Sequence, residues 1–260
     1  MLEIKSFIGT HDQDWEDEQQ WRHPYLEITV ILEGSGIFRS ENDECTVHAG
    51  QVVLIPPNVP HSFHAVTPIR FGVLLIQDLP ISTRELFNRM ITDDLPRIIT
   101  LSPLDQEHYE LLFREWLRAF ASTLKERERN YTAWIEILLL FLSEHSYADQ
   151  QALSIARVGD FIREHLSSPI QMSTLADMTG LSEDGFRKKF FKVYEMTPKQ
   201  YQQVCRLAEA KWLLSSSDKD MQTIANHIGF SQLHSFSLWF KKLEGCPPTE
   251  WRNSQRLYHQ

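Results

Sequence analysis

Thr174-Leu175-Ala176-Asp177-Met178-Thr179-Gly180-Leu181-Ser182 is matched further along the chain by Thr223-Ile224-Ala225-Asn226-His227-Ile228-Gly229-Phe230-Ser231. Both copies place a glycine four residues after an alanine, and both run on into two phenylalanines four residues apart. These are Phe186 and Phe190 in the first copy, Phe236 and Phe240 in the second. One extra residue in the second copy moves the offset from 49, between Ala176 and Ala225, to 50, between Phe190 and Phe240. The repeat then continues through Pro198 and Pro248 to Tyr201 and Trp251.

Each repeated residue has a physical task. Two helices crossing steeply over a short turn need a small residue where they touch, and Ala176 and Ala225 supply it. The turn needs a residue that tolerates positive φ, which suits Gly180 and Gly229. Ser182 can cap the following helix, with Glu183 and Asp184 near its positive end. Each phenylalanine pair anchors one helical face to a core. The opposite face is free. It offers Asp184, Arg187, Lys188 and Lys192 in the first unit, and Gln232, His234, Ser237, Leu238 and Lys241 in the second. A helix seated in a major groove reads base edges from such positions and holds phosphates with flanking cations. One copy alone could be ordinary helix packing. Two in register, each leaving through a Pro-led helix, point to a pair of helix-turn-helix units. A single helix from Pro198 to Leu214, with Thr197 as cap, is expected to join them.

Residues 153–256 resemble the DNA-binding domain of the AraC/XylS family of bacterial transcription regulators. The resemblance is carried by Leu175-Ala176, Gly180, Ser182, Phe190-Phe191-Lys192, Pro198, Tyr201, Arg206-Leu207, Ala210, Leu213-Leu214, Ile224-Ala225, Gly229-Phe230, Phe236, Phe240-Lys241-Lys242, Gly245, Pro248 and Trp251-Arg252. Three departures stand out. Leu238 sits where the family carries a basic residue, Glu195-Met196 replaces its glycine before the first proline, and Trp251 stands for its tyrosine.

The charge divides with the chain. Residues 153–260 hold 14 Lys+Arg against 11 Asp+Glu, whereas residues 1–152 hold 12 against 24. The formal net charge of -9 therefore belongs to the N-terminal half, and the helical half is the one suited to DNA. The three cysteines, Cys45, Cys205 and Cys246, have no metal spacing and suggest a reducing compartment. Met1-Leu2-Glu3-Ile4-Lys5 does not read as a signal peptide, and the longest apolar run, Ile137–Leu142, is too short for a bilayer. A cytoplasmic protein without membrane contact is expected.

The first hundred residues alternate short runs of β-formers with turns. The runs are Leu26–Leu32, Ile37–Ser40, Cys45–His48, Val52–Ile55 and Ile69–Ile76. Glu33-Gly34-Ser35-Gly36 reads as a tight hairpin, with further turns at Gly50 and at Pro56-Pro57-Asn58. Such spacing suggests a barrel or jelly roll. In detail it resembles a cupin: His23, Glu27 and Gly34 match the first motif, and Gly50, Pro56 and His61 the second. The usual sensory domain of AraC-type regulators is such a barrel.

Cupin enzymes hold metal with two His and one Glu from the first motif and one His from the second. Here Trp21 occupies the first His position, which leaves His23, Glu27 and His61, with His48 and His64 nearby. These three could form a two-His, one-carboxylate site. The expectation is instead an organic effector in the barrel, contacted by Trp21, His23, Tyr25, Glu27, His61 and Phe63, with Leu54 also in its wall and no metal or other cofactor. Trp21 suits stacking on a sugar ring.

Residues 82–100 read as a connection. Helices follow at Asp105–Thr123 and Tyr131–Glu144. The run Lys125–Asn130 between them is expected to be solvated, and Ser146–Gln151 polar and without period. One helix covers the barrel and the other is placed to pair with a second copy, as the resemblance suggests; the alternative is that both belong to the monomer core. The expected fold is α+β. It comprises a cupin-like β-barrel with a helical pair (1–145), a linker (146–152) and an all-α domain with two helix-turn-helix units (153–260).

The expected function is sequence-specific transcription regulation in response to a small-molecule effector, a sugar or other carbon source, and not enzymatic catalysis. Its partners are promoter DNA, the effector, RNA polymerase and a second copy of the chain. A metal-dependent cupin enzyme and a ligand-independent DNA-binding regulator are the alternatives.

Overall fold

The computed structural model describes residues 2–41, 43–91, 93–147 and 150–257. The chain forms two compact units, Met1–Ala148 and Asp149–Gln260.

The first unit carries β1 (Glu3–His11), β2 (Leu26–Glu33), β3 (Ser35–Ser40), β4 (Asp43–His48), β5 (Gln51–Ile55), β6 (His61–Ala65), β7 (Ile69–Gln77), α1 (Ile81–Met90), β8 (Arg97–Thr100), α2 (Pro103–Ala121) and α3 (Arg127–Glu144). They make an antiparallel five-stranded sheet, β1-β7-β2-β5-β8, facing a three-stranded sheet, β4-β3-β6. Side-chain alternation along a strand splits the large sheet's residues between two cores. Leu26, Ile28, Val30, Val52, Leu54, Leu74 and Ile76 pack with the helices, against Phe113, Trp116, Ile135 and Leu138. Ile31, Val53, Ile55, Phe71 and Val73 face the barrel interior and meet Phe38, Val47 and Phe63. Burial on both faces explains why these strands read as unbroken apolar runs.

Several expectations change here. The Glu33–Gly36 turn is not a hairpin. Its two strands belong to different sheets, and Gly34, at φ +78°, turns a corner between them. The stretch 82–100 contains most of α1 and all of β8. The charge run Lys125–Asn130 is exposed throughout, as expected, although α3 begins within it at Arg127, which lies over the Tyr131 ring and donates to its hydroxyl at 3.2 Å. Leu54 points into the helix-side core, because in strand β5 it is its neighbours Val53 and Ile55 that face inward.

Within the stretch read as linker, the Tyr147 hydroxyl donates to Asp105 at 2.7 Å, and a helix starts at Gln150. Ala148 and Asp149 lie outside the described residues. Asp105, buried at the start of α2, also accepts from Ser102 at 2.8 Å and lies 2.9 Å from His145 Nδ1. The end of α3 is thereby tied to the start of α2.

The second unit is helical: α4 (Gln150–Glu164), α5 (Met172–Asp177), α6 (Glu183–Tyr194), α7 (Pro198–Ser216), α8 (Met221–His227), α9 (Leu233–Glu244) and α10 (Pro248–Leu257). It has two separate cores. Leu175, Ala176, Phe186, Phe190 and Tyr201 gather with Ile155, Val158 and Ile162 of α4. Ile224, Ala225, Phe236 and Phe240 gather with Ala210, Leu213 and Leu214 of α7, and Trp251 packs against them. The repeated sequence thus builds two repeated cores, joined by α7. That helix opens on the expected Thr197 cap, completed by Gln200 into a capping box, with Pro198 in its first turn.

Candidate functional site

The geometry of the helix-turn-helix units follows directly from the repeat. Ala176 and Ala225 are buried where α5 meets α6 and α8 meets α9. The turn glycines both take positive φ, Gly180 at +66° and Gly229 at +90°. They differ in surroundings. Nothing lies within 4 Å of where a Gly180 side chain would begin, whereas at Gly229 it would lie 2.9 Å from the Leu166 carbonyl oxygen. Gly229 is therefore required twice over, by conformation and by close packing.

The phenylalanine faces are fully buried, so the opposite faces of α6 and α9 look outward. Asp184, Arg187, Lys188 and Lys192 are exposed on α6. Gln232, His234, Leu238 and Lys241 are exposed at the start of and along α9, with Ser237 half-buried beside them. The two helices differ electrostatically. Helix α6 is capped by Ser182 and opens on Glu183 and Asp184; Arg187 lies 2.9 Å from Glu183 and 3.5 Å from Asp184. Helix α9 has no acid in its first turn and carries Lys241 and Lys242 in its last turn.

The second site lies inside the barrel. His23 precedes β2, Glu27 is the second residue of β2, and His61 opens β6 on the other sheet. The fold brings them together: His23 Nε2 is 3.0 Å and His61 Nε2 3.1 Å from the same carboxylate oxygen, Glu27 Oε2. The Thr29 hydroxyl donates to the other oxygen. The imidazole Nδ1 atoms lie 3.2 Å from the Tyr25 carbonyl and 2.9 Å from the Val59 carbonyl. Burial works to raise the Glu27 pKa, but hydrogen bonds from His23, His61 and Thr29 outweigh it and hold the carboxyl at about 2. For His61, burial acts downward, and the Glu27 carboxylate overcomes it, so its pKa is raised.

The three donor atoms lie within 4.8 Å of one another and could hold a metal ion, with His23, Glu27 and His61 as its ligands. The same atoms also satisfy one another through protons. His48 and His64 take no part in this cluster.

The cluster opens into a cavity of about 360 Å³ that Trp21 and Phe63 also line. Tyr25 is a correction, since it does not line this cavity. Its hydroxyl donates to Glu3, and Lys5 sits 4.6 Å from its ring centroid. Residues that sequence reasoning missed complete the wall. Strand β1 contributes Phe7 and His11, β7 contributes Phe71 and Val73, and the irregular stretch 12–21 contributes Trp15 and Asp17. That stretch runs along β6 through backbone bonds from Asp14 to Ala65, Asp17 to Phe63 and Trp21 to His61. Asp12-Gln13-Asp14-Trp15-Glu16-Asp17-Glu18-Gln19-Gln20-Trp21 has no β-former pattern, so nothing but its two tryptophans signalled a wall.

A barrel with a cavity, followed by two helix-turn-helix units in one chain, defines a class: DNA-binding regulators that carry their own ligand-binding domain. Comparison agrees on both halves. Residues 6–78 match the family described as AraC-like ligand binding domain, and residues 175–254 the one described as helix-turn-helix domain. An uncharacterised HTH-type transcriptional regulator of Bacillus subtilis strain 168, YobQ, is 25% identical over 233 residues, covering 90% of this chain and 88% of its own. A probable transcriptional regulator of Photobacterium leiognathi, LumQ, is 24% identical over 244 residues, covering 88% and 90%. The crystal structure of ToxT from Vibrio cholerae O395 aligns over 96% of both chains at 11% identity, with a TM-score of 0.39. The chain belongs to the AraC/XylS family of DNA-binding transcription regulators. No helix among the described residues is long and apolar enough to cross a membrane.

Proposed function

We propose that this regulator senses a small organic effector in the barrel cavity and reads promoter DNA with α6 and α9 in successive major grooves. The observation that carries the reading is the pairing, in one chain, of a largely apolar cavity ending on a polar cluster with two helices whose outward faces are free. His23, Glu27, His61, Trp21 and Phe63 are the effector contacts. Asp184, Arg187, Lys188 and Lys192, with Gln232, His234, Ser237 and Lys241, are the DNA contacts. Residues 1–145 form the sensing and dimerising domain and 153–260 the DNA-binding domain.

The proposal extends to a cytoplasmic homodimer that contacts RNA polymerase and performs no catalysis. Exposed Leu111 on α2, with Ile137 and Leu140 three residues apart on α3, supports pairing of the helical layer with a second copy. An effector switches such a protein only by binding one of its conformations better than another. The effector class expected from the resemblance is a sugar or other carbon source, and the chemistry of the cavity wall bears on that choice.

The test replaces His23 and His61 by Ala in the full chain and measures effector-dependent transcription and basal DNA binding separately. Loss of the response with basal binding retained supports the proposal. Loss of neither, or stoichiometric transition metal in the wild type that the double variant lacks, contradicts it.

A further inference from the structure

We infer that the effector is a flat, largely apolar ring compound, aromatic or conjugated, bearing one hydrogen-bonding group that meets His11, and that it is not a sugar. The inference rests on reading the barrel cavity as the effector site.

Two observations carry it. The first is the wall. His11 stacks on Trp15 with ring centroids 3.6 Å apart, Trp15 and Phe71 lie 6.1 Å apart, and Phe71 and Phe63 5.7 Å apart. The rings therefore form a continuous surface, with Phe7 and Trp21 each about half exposed at the opening. Aromatic rings meet favourably at centroid separations of about 4.5–7 Å, so Trp15, Phe71 and Phe63 pack on one another into one apolar face against which a flat ring can lie. The cavity's 360 Å³ lies near the lower end of the range, about 300–1,000 Å³, typical of small-molecule sites.

The second observation is that the polar groups facing the cavity are already engaged. Asp17 accepts from the Trp21 indole at 3.0 Å on one oxygen and from the Phe63 backbone N–H at 2.8 Å on the other. Both oxygens of Glu27 have partners, and each ring nitrogen of His23 and His61 has its own. A sugar would bring several hydroxyls into a space whose donors and acceptors are occupied by one another. Each hydroxyl left without a partner would carry its desolvation penalty into the complex.

His11 is the exception. Its ring makes stacking contacts and, among the described residues, no protein hydrogen bond is found for it. Burial lowers its pKa, which favours the neutral ring, able to donate at one nitrogen and accept at the other. A ligand with a single hydroxyl or ring N–H matches that inventory.

The experiment titrates the full-length protein with indole, with 2-naphthol, and separately with glucose and arabinose. Binding is followed by calorimetry and by the unfolding midpoint of the barrel. The expected result is saturable binding and a raised midpoint with at least one aromatic probe and with neither sugar. His11→Ala and Phe7→Ala should each weaken the aromatic probe by up to about tenfold, the scale of one lost ring contact, and the ligand-induced rise is read against each variant's own ligand-free midpoint. Saturable binding of a sugar and of neither aromatic probe overturns the ligand class and leaves the cavity as the effector site. Binding of no probe overturns both. Aromatic binding that both variants leave untouched places the probe elsewhere and overturns the inference.

Discussion

Glu27 Oε2 lies 3.1 Å from His61 Nε2, and the two residues stand on opposite sheets of the barrel. A buried ion pair therefore spans the interior, at the floor of the cavity. Removing one partner of such a pair leaves the other charged and desolvated. His61→Ala is expected to destabilise the barrel by about 3 kcal/mol, at the lower end of the range for broken buried pairs because His23 still holds Glu27. Denaturant unfolding followed through the barrel's own transition checks this; a loss below about 1 kcal/mol, the scale of an exposed pair, contradicts it.

The same pair sets a pH profile. Glu27 has its pKa lowered from 4.5 to about 2, so its contribution is present above pH 4.5 and is lost as the pH falls from 4.5 towards 2. His61 has its pKa raised from 6.5, so its contribution is present below pH 6.5 and is lost as the pH rises through the raised value. The barrel's unfolding midpoint should therefore fall on both the acid and the neutral-to-alkaline side. Glu27→Gln should flatten both limbs. A wild-type midpoint that rises steadily from pH 5 to pH 8 would contradict this assignment.

The C-terminal units were the most legible part of the sequence. A repeat with Ala, Gly and two Phe in register allows few structures, and the cores around Phe190 and Phe240 follow from it. The interior polar cluster was legible too, because His23, Glu27 and His61 sit at fixed offsets from turn residues. The rest of the cavity wall was not. Phe7 and His11 lie on a strand whose exposure breaks the alternating pattern, and Trp15 and Asp17 lie in a stretch fastened mainly by backbone bonds, which leave no residue pattern. Tyr25 was misplaced for a related reason: its ring follows Glu3 and Lys5 of β1, a strand the pattern did not reveal.

The repeat also exposes a strained position. Helix α9 ends on Gly245 at φ +82°, and α6 ends on Glu195 at φ +56°. A residue with a Cβ in the left-handed region costs about 1–2 kcal/mol, part of which glycine returns through its greater freedom in the unfolded chain. Glu195→Gly is expected to stabilise the helical unit by about 0.5–1 kcal/mol, and Gly245→Ala to destabilise it by about 1 kcal/mol. Urea midpoints of that unit's transition measure both. A destabilising Glu195→Gly would contradict the account.

The two reading helices should contribute unequally. Arg187 and Lys188 can bond base edges or phosphates, and a good base contact is worth about 1–3 kcal/mol, whereas Leu238 offers only apolar contact. Arg187→Ala and Lys188→Ala are expected to weaken specific binding more than Leu238→Ala. Glu183, 2.9 Å from Arg187, competes with DNA for that cation, so Glu183→Gln should strengthen binding. Titrations at one salt concentration, on specific and scrambled duplexes, separate the cases. Equal losses for the three alanine variants contradict this ranking.

On the proposed reading, the repeated units grip two successive major grooves on one face of the duplex. Hydroxyl-radical footprinting of the full chain, on a duplex selected from a random pool for tight binding, tests it most directly. Successive major grooves lie about 34 Å apart along the axis. Two protected segments separated by about one helical turn are expected, the α9 segment being lost selectively when Gly229 is replaced by Val. A single short protected segment, or protection that the Gly229 replacement leaves intact, would contradict it.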